Sequence, residues 1–336
     1  MVWPTHGTAP QFTAFQRHVI PIQTGPVAYA APAHNIENRI TIARLSDSRA
    51  RWVNPKAAGP PEAPSPKPKA VVGLLALWSD CIRLMSQRVL ITAGAAGIGR
   101  EFARAFTANG AKVFVCDIDD NALAAIAKDI PGLIARRCDL ASRAEIERMV
   151  PEAVAALGGL DVLINNAGIA GLTLPVAEYP PDDWDKVVAV NLTAMFDVSR
   201  LAIPHLKQSK AGCIINMASI AGRYGFPNRS PYAATKWGVI GLTKTLAMEL
   251  GEWGIRANAI APGAVEGDRI VRVFQGRAQI SGRSLDEVKA DALAASSIKA
   301  MIDPKDIAQL AVFLASDAAK SISGQVIPID NDRQKA

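Results

Sequence analysis

The chain has 336 residues, of which 49% are hydrophobic, and a net charge of +6. This length is ample for a sizeable core, and the composition excludes a collagen-like chain, a fully disordered chain and a disulfide scaffold. The charge is uneven: residues 1–84 carry 9 Lys and Arg against 4 Asp and Glu, whereas residues 85–336 carry 28 against 27. Because the larger part is nearly neutral, nothing in its composition indicates nucleic-acid binding.

Cysteine and histidine usage limits the chemistry further. Cys81, Cys116, Cys138 and Cys213 show no CxxC spacing, and the last three lie in apolar runs. Such residues are expected to be buried free thiols, which fits a reducing, cytoplasmic location. Beyond residue 84 the one histidine is His205. A single histidine disfavours both a zinc site of several histidines and a Ser-His-Asp triad, and we expect no metal.

Residues 1–84 differ from the rest. They hold 11 of the 22 prolines and no convincing period of 2 or 3.6, which predicts an extended, solvated extension. The apolar patch Ala70–Trp78 is shorter than the roughly 20 residues that a membrane span needs. Three interpretations remain: a transit peptide, a basic interaction arm, or a dispensable or mis-assigned segment ahead of a start at Met85. We favour the last.

Strand and helix signals alternate through residues 85–336. The predicted strands are Arg88–Thr92, Lys112–Asp117, Leu133–Cys138, Asp161–Asn165, Cys213–Met217, Ala257–Ile260 and Val326–Ile329. Helical patterns follow the first strand up to Asn109 and then cover Ala122–Lys128, Ser142–Leu157, Asp182–Leu206, Pro231–Leu250 and Asp303–Leu314. This alternation predicts a single α/β domain with a Rossmann-type, doubly wound parallel sheet of about seven strands.

A glycine-rich turn, Thr92-Ala93-Gly94-Ala95-Ala96-Gly97-Ile98-Gly99, stands between the first strand and the first helix. A strand, a glycine turn and a helix N-terminus together favour a pyrophosphate. The residues expected to bind the cofactor here are Thr92, Gly94, Ala96, Gly97, Ile98 and Gly99. The spacing departs from GxGxxG, so a plain tight turn is the alternative.

Asp117 ends the second strand, 18 residues after Gly99. An acid at this place accepts hydrogen bonds from the adenosine ribose and repels a 2′-phosphate. Ala95, Ala96 and Ile118 supply no positive charge that could attract that phosphate. The pattern favours NAD over NADP, the alternative being that Asp117 merely caps the next helix.

The sequence resembles the short-chain dehydrogenase/reductase family over residues 85–336. Five landmarks carry the resemblance, in order: the glycine turn, Asn165-Asn166-Ala167-Gly168, Asn191, Ser219 and Tyr232-x-x-x-Lys236. The resemblance implies a nicotinamide-dependent oxidoreductase that acts on a small alcohol or carbonyl compound. It also implies a homo-oligomer, either a tetramer or a dimer.

The catalytic residues implied are Asn191, Ser219, Tyr232 and Lys236. Tyr232 and Lys236 project from one helix face, and a neighbouring ammonium favours the phenolate, so Tyr232 can act as general acid or base. Ser219 can stabilise charge on the substrate oxygen. By family analogy Lys236 also binds the nicotinamide ribose, and Asn191 holds a relay water. Singly, each residue has a structural alternative: a turn cap for Ser219, a helix-interior polar residue for Asn191 and a half-buried aromatic for Tyr232.

Further contacts are implied by the family pattern alone. It puts Asp139 and Leu140 near the adenine, Asn166 and Ala167 along the adenosine, and the backbone around Val265 at the nicotinamide carboxamide. The alternative for the Asn165–Gly168 segment is a purely structural one, in which these residues satisfy backbone groups at a strand end.

The sequence departs from the family at three places. Ala93 stands where the first glycine of the turn is usual, and we expect Gly94 to serve as a shifted glycine. Gly267 replaces a threonine that helps to hold the cofactor. Ile329-Asp330-Asn331-Asp332 lacks the usual paired glycines, which makes the oligomer less certain.

The substrate is left open by the sequence. Residues 265–300 are expected to form a flap, with a helix starting at the capping box of Ser284 and Glu287. We expect most of its basic residues to be a solvated face: Arg269, Arg272, Arg277, Arg283, Lys289 and Lys299. The pocket wall is expected to include Arg223, Tyr224, Phe226 and Pro227.

Other functions compete with an NAD(H)-dependent dehydrogenase. A non-catalytic NAD(H) sensor could use the same fold, but the intact tetrad argues against it. An NADP-dependent 3-oxoacyl-type reductase is a further alternative. An epimerase of the related extended family is disfavoured because GxxGxxG and a larger C-terminal domain are missing. The basic extension could also serve in targeting or nucleic-acid attachment.

Overall fold

Seven short apolar strands form one parallel sheet in the order β3-β2-β1-β4-β5-β6-β7. The computed structural model describes residues 87–334, so the extension 1–84 and Cys81 lie outside the described residues. The strands are β1 Arg88–Thr92, β2 Lys112–Asp117, β3 Ile134–Arg137, β4 Val162–Asn165, β5 Cys213–Met217, β6 Arg256–Pro262 and β7 Val326–Ile329. The predicted doubly wound sheet is confirmed.

Helices cover both faces of the sheet. They are α1 Gly97–Ala108, α2 Asp120–Asp129, α3 Arg143–Leu157, α4 Pro181–Val188, α5 Ala194–Leu206, α6 Ser230–Leu250, α7 Asp268–Ser281, α8 Leu285–Ala294 and α9 Pro304–Ala315. Residues on alternate positions of each strand pack on opposite sides. Val89 and Ile91 of β1 join the core beneath α1 and α9, whereas Leu90 joins the core beneath α3 and α5. Apolar residues at successive strand positions are therefore all buried, as a doubly covered sheet requires.

The predicted single helix Asp182–Leu206 is wrong in its middle. The chain forms α4, then a π-helical turn over Ala189–Thr193, and then α5. Fully buried Asn191 lies in this turn and bonds to the backbone of Ile169, an arrangement that apolar periodicity does not encode. The whole stretch Pro181–Leu206 is long and apolar enough to cross a membrane, but about half of it is buried inside the protein.

The strand order reverses between β1 and β4, since the chain winds outward to β3 on one side and to β7 on the other. Ligands of open α/β sheets bind at the carboxyl ends of the strands near such a reversal. The glycine turn follows β1, and the Asn165–Gly168 segment begins at the last residue of β4. The topology therefore brings these two motifs together at one edge.

Candidate active site

A cleft of about 950 Å³ opens at this edge of the sheet. At one end it is bounded by the glycine turn, Asp117, Asp139 and Leu140. At the other end it is bounded by Ser219, Tyr232, Lys236 and α7, with Asn166, Ala167 and Val265 also in its wall. Sites for a nucleotide and for a reacting group are thus continuous in one cavity, large enough for a dinucleotide and a small substrate.

The residues of the glycine turn divide into two groups. Ala96, Gly97 and Ile98 line the cleft, but Thr92, Gly94 and Gly99 do not. A Cβ on Gly94 would lie 2.7 Å from the Val115 side chain, and one on Gly99 would collide with the Ala93 carbonyl oxygen. Gly94 and Gly99 therefore allow close packing on the side of the turn that faces away from the cleft. Gly97, at φ +52°, allows the left-handed backbone on the side that lines the cleft.

The N-terminus of α1 faces the cleft without a side-chain cap. Helices α2, α3, α8 and α9 begin with caps from Asp119, Ser142, Ser284 and Asp303, whereas α4, α5, α6 and α7 also lack a side-chain cap. The first turn of α1 also contains no acid. Free N–H groups and the positive end of the helix dipole therefore point to a site for an anion, which fits the pyrophosphate of a nicotinamide cofactor.

Ala93 takes the left-handed backbone conformation itself, at φ +48°. Gly94 is not among the glycines with positive φ; the left-handed position of the turn falls on Ala93, and Gly94 allows close packing against Val115 instead. The requirement for this conformation is set by the chain path between β1 and α1, where the Ala93 carbonyl accepts from Asn166 Nδ2 at 2.8 Å. Alanine therefore bears the strain that glycine would avoid.

Replacing Ala93 with Gly should stabilise the protein. Removing a Cβ from a left-handed residue should raise the free energy of unfolding by about 1 kcal/mol, net of the glycine entropy cost. Urea unfolding of the two proteins measures this, and Ala96→Gly, in extended backbone at φ −139°, is the matched control that should destabilise or leave stability unchanged. Equal or lower stability of Ala93→Gly would contradict the strain.

Asp117 holds the glycine turn and also faces the cleft. Its carboxylate accepts from the Ala95 N–H at 3.1 Å and from the Ile118 N–H at 2.8 Å. Asp119, not Asp117, caps α2 by accepting from the N–H groups of Asn121 and Ala122. The helix-capping alternative for Asp117 is therefore wrong. Ile118 beside it is exposed and supplies no positive charge.

Thr92 joins the turn to the end of β4. Its hydroxyl accepts from the N–H groups of Asn166 and Ala167, at 3.0 and 3.1 Å. Asn165 is buried between Ser199 and Asn216, to which its amide donates. Thr92 and Asn165 are thus structural, whereas Asn166 and Ala167 bond to Thr92 and line the cleft at the same time.

Ser219, Tyr232 and Lys236 come together from two elements. Ser219 follows β5, and Tyr232 and Lys236 lie one turn apart on α6. Lys236 is buried, with its Nζ 5.8 Å from the Tyr232 ring centre, and it donates to the Met217 carbonyl at 2.6 Å. The Ser219 hydroxyl also accepts from the Ala221 N–H, so this serine caps a turn and faces the cleft as well.

Asn191 is close to this group but does not line the cleft. Its Oδ1 accepts from the Ile169 N–H at 2.7 Å, and its Nδ2 donates to the Ile169 carbonyl at 3.0 Å. Nδ2 also lies 3.3 Å from the Thr235 hydroxyl. These bonds fix the backbone after Gly168 next to Lys236, so the visible role of Asn191 is to position the cleft wall.

The electrostatics favour ionisation of Tyr232. Burial raises the pKa of its phenol, and the charges of Arg269 and Lys236 are the largest of four opposing effects that together outweigh burial. The hydrogen bond from Ser219 and the charge of Arg229 act in the same direction, and the pKa is lowered to about 8. Burial lowers the pKa of Lys236 as well. A tyrosine poised near neutral pH is suited to general acid–base chemistry.

Several basic residues surround the Tyr232 end of the cleft. Of the flap residues, Arg269, Arg272 and Arg277 line it. Arg269 and Arg272 are exposed, as expected of a solvated face, whereas Arg277 is half-buried and departs from that expectation. Arg283 instead pairs with Asp291, and Lys299 donates to the Ala294 carbonyl. The sequence prediction missed α7, which carries the three arginines, and it did not single out Arg229 or Arg333, which also line the cleft.

The pocket wall between Ser219 and Tyr232 is only partly as expected. Phe226 lines the cleft, but Arg223, Tyr224 and Pro227 do not. Arg223 instead forms an ion pair with Asp330 at 3.0 Å, and the Tyr224 hydroxyl donates to the Arg333 carbonyl.

At two other places where the sequence departs from the family pattern, the backbone has the positive φ that glycine favours. Asn331 and Asp332 have φ of +59° and +54°, conformations that Asn and Asp tolerate better than most residues. Gly267 has φ +132°, which a threonine could not adopt without strain. The Asn331–Asp332 turn directs the following residue, Arg333, into the cleft wall.

Comparison with known proteins agrees with this geometry. A protein-family model described as enoyl-(acyl carrier protein) reductase matches residues 93–331. D-beta-hydroxybutyrate dehydrogenase of Cupriavidus necator is 36% identical over 252 residues, covering 74% of this chain and 97% of that protein. The chain belongs to the short-chain dehydrogenase/reductase family.

Solved structures of this family superpose well on the chain. A variant of actinorhodin polyketide ketoreductase with NADPH has a TM-score of 0.70 at 32% identity, covering 73% of this chain and 96% of that one. NAD+-bound xylitol dehydrogenase has a TM-score of 0.70 at 29% identity, covering 73% and 97%. Relatives of this oxidoreductase thus bind nicotinamide cofactors, in one case NADPH and in another NAD+.

Proposed function

We propose that the protein is an NAD(H)-dependent oxidoreductase that interconverts a secondary alcohol and a carbonyl compound, with Tyr232 as general acid and base. The observation that carries this proposal is the convergence of Ser219, Tyr232 and Lys236 on one cleft whose far end holds an uncapped helix N-terminus and Asp117. A cleft with a purely structural role would need neither the group of Ser219, Tyr232 and Lys236 nor the helix N-terminus with Asp117.

In the oxidation direction, the Tyr232 phenolate takes the proton of the substrate hydroxyl. The Ser219 hydroxyl donates to the same oxygen and stabilises the charge that develops on it. Lys236 keeps positive charge beside the phenolate. In reduction the proton moves back from Tyr232 to the substrate oxygen. Ser219 and Lys236 are buried and Tyr232 is half-buried, which limits the access of bulk water to the proton transfer.

The nicotinamide cofactor, when bound, accepts or supplies the hydride. We assign its pyrophosphate to the α1 N-terminus at Ala96, Gly97 and Ile98, and its adenosine to the wall of Asp139, Leu140, Asn166 and Ala167. Asp117 would accept from the ribose hydroxyls. Val265 and Lys236 would hold the nicotinamide half.

The experiment measures formation of reduced nicotinamide by the full chain with a panel of secondary alcohols, hydroxy acids and polyols, using NAD and NADP in parallel. Turnover with NAD that exceeds turnover with NADP supports the proposal. NADH binding with no turnover of any compound would favour the non-catalytic sensor instead.

The pH profile of this reaction should follow Tyr232. Oxidation needs the phenolate, so kcat/KM should fall about tenfold per pH unit below a pKa near 8 and level off above it. Reduction needs the protonated phenol and should fall on the alkaline side. Arg269→Gln removes a charge that lowers this pKa and should move both limbs to higher pH. An unchanged profile in that variant would contradict the assignment.

One observation favours a second candidate, an NADP-dependent 3-oxoacyl-type reductase. The matching family model is described by an acyl carrier protein substrate, and one superposing ketoreductase has NADPH. Against it stands Asp117, which faces the part of the cleft where a 2′-phosphate would lie. Turnover of a 3-oxoacyl thioester with NADPH but not NADH would decide for this candidate.

We further propose that the enzyme works in the cytoplasm as a homo-oligomer, a tetramer or a dimer. Large apolar side chains are exposed along α5 and α6: Phe196, Trp237 and Met248, the last 85% exposed. Such residues favour a subunit contact over solvent. Light scattering of the purified chain measures the assembly, and a monomer at micromolar concentration would contradict the proposal.

A further inference from the structure

Three arginines, the buried Arg229 and Arg333 and the half-buried Arg277, form an arginine cluster beside Tyr232. They come from the start of α6, the middle of α7 and the segment after β7, and all three line the cleft. The Arg229 guanidinium carbon lies 4.6 Å from the Tyr232 ring centre, and that of Arg277 lies 4.8 Å from the Phe226 ring centre. The cluster is therefore part of the pocket where the reacting group would bind.

Among the described residues, no carboxylate forms a salt bridge with the guanidinium groups of this cluster. Arg229 and Arg333 are 3% and 6% exposed, and each has a buried Nε with no hydrogen-bond partner. Their remaining bonds go to backbone carbonyls, Arg229 to Ala170 and Arg333 to Ala292. Within the described range 87–334, the guanidinium of Arg277 makes neither an ion pair nor a hydrogen bond, and it lies over the Phe226 ring.

Repulsion within the cluster acts on Arg277. Burial and, after it, the charges of Arg229 and Arg333 together lower the pKa of Arg277 to about 10. Burial also lowers the pKa of Arg229 and of Arg333. Three guanidinium groups with buried surfaces and mutual repulsion are costly unless an anion lies among them.

The nearby acids do not fill that role. Asp330 approaches Arg333, but its carboxylate is already paired with Arg223 at 3.0 Å. Glu266 and Asp268 also line the cleft, yet both are exposed and neither makes an ion pair with the cluster. The pyrophosphate site at α1 belongs to the other end of the cleft. The anion that the cluster fits is therefore a separate group.

We propose that the arginine cluster binds the anionic group, a carboxylate or a phosphate, of a small hydroxylated substrate whose alcohol meets Tyr232. This inference rests on the proposed function and adds the substrate class to it. Because Arg229 contacts the Tyr232 ring, the anionic group and the reacting carbon belong to one compact molecule. Guanidinium groups suit this role since they bind carboxylate and phosphate oxygens in pairs.

Matched substrates test the proposal in the full chain with NAD. One pair is 3-hydroxybutyrate and its methyl ester, and the other is glycerol 3-phosphate and glycerol. We expect kcat/KM for one of the anions to exceed that of its neutral partner at least tenfold, and the pair that shows this identifies carboxylate or phosphate. Equal or better turnover of both neutral partners would overturn the proposal.

Variants link the preference to the cluster. Arg277→Gln should lower the ratio of anion to neutral kcat/KM by about 10- to 100-fold, as expected for a lost charge-assisted pair. Arg277→Lys should restore part of it. Arg283→Gln, which removes a flap charge outside the cleft, should change nothing. An unchanged ratio in Arg277→Gln and in Arg333→Gln would overturn the proposal.

A binding measurement separates this inference from the proposed function. Thermal unfolding of the NADH-saturated protein is followed with 3-hydroxybutyrate, its ester, glycerol 3-phosphate and glycerol. A rise in Tm with an anion, absent in Arg277→Gln, supports the anion site even if no substrate is turned over, in which case the proposed activity has failed alone. If neither anion raises Tm in the wild type, the arginine cluster is not a site for this substrate class.

Discussion

Tyr232→Phe should reduce turnover at least a thousandfold while leaving nicotinamide binding nearly unchanged. No nearby group can replace the phenol as proton donor or acceptor. Lys236 donates to the Met217 carbonyl, and the aliphatic hydroxyl of Ser219 is a much weaker acid than a phenol. Positioned general acid–base groups typically contribute 10²- to 10⁴-fold. The change removes one oxygen and keeps the ring, so the cleft wall and the contact with Arg229 should survive.

The measurement compares kcat with the Kd of NADH, read by fluorescence titration, in the wild type and the variant. Tyr179→Phe is the matched control, since this tyrosine lies outside the cleft and its hydroxyl accepts from the Leu172 N–H. It should keep its kcat. Activity of Tyr232→Phe within tenfold of the wild type would remove Tyr232 from the mechanism.

The double change Asp117→Ala and Ile118→Arg should reverse cofactor preference. Asp117 and the exposed Ile118 both line the cleft, where the carboxylate would repel a 2′-phosphate and an arginine at position 118 would attract it. Losing the repulsion and gaining a charge-assisted bond should raise the NADP-to-NAD ratio of kcat/KM by about 100-fold or more.

A control separates this effect from damage to the turn. Asp117 also accepts from the Ala95 N–H, so a part of the loss with NAD should be structural. Asp119→Ala removes an acid two residues away that caps α2 and stays outside the cleft. It should lower stability by about 1 kcal/mol without altering the cofactor ratio. If the double substitution leaves the NADP-to-NAD ratio of kcat/KM unchanged, Asp117 does not determine the cofactor preference through the adenosine ribose.

Much of the framework could be predicted because it is local in sequence. Apolar runs bounded by turn residues gave β1, β2, β5 and β7 with both ends correct. The capping box at Ser284 gave the start of α8. Helix α7 was missed because it begins after Gly267 with no side-chain cap and buries only Val273 and Phe274 on the cleft side, too few for a clear period.

The arginine cluster was beyond sequence reasoning for a different reason. Arg229, Arg277 and Arg333 stand far apart in the chain, and each alone is typical of a solvated surface. Their surroundings depend on the α7 flap and on the turn at Asn331–Asp332. The positive φ values of this turn could not be predicted, because neither residue is a glycine. The strain at Ala93 was hidden in the same way, because an alanine in the sequence gives no sign of a positive φ.

The most direct test of the central claim is hydride transfer itself. The full chain is incubated with NAD and the secondary alcohol of the panel that gives the highest rate, carrying deuterium on its carbinol carbon. We expect deuterated NADH to form at a rate that rises with pH through about 8. In Tyr232→Phe we expect neither the deuterated NADH nor this pH dependence. Binding of NADH without turnover of any alcohol in the panel, or deuterium transfer that persists in Tyr232→Phe, would contradict it.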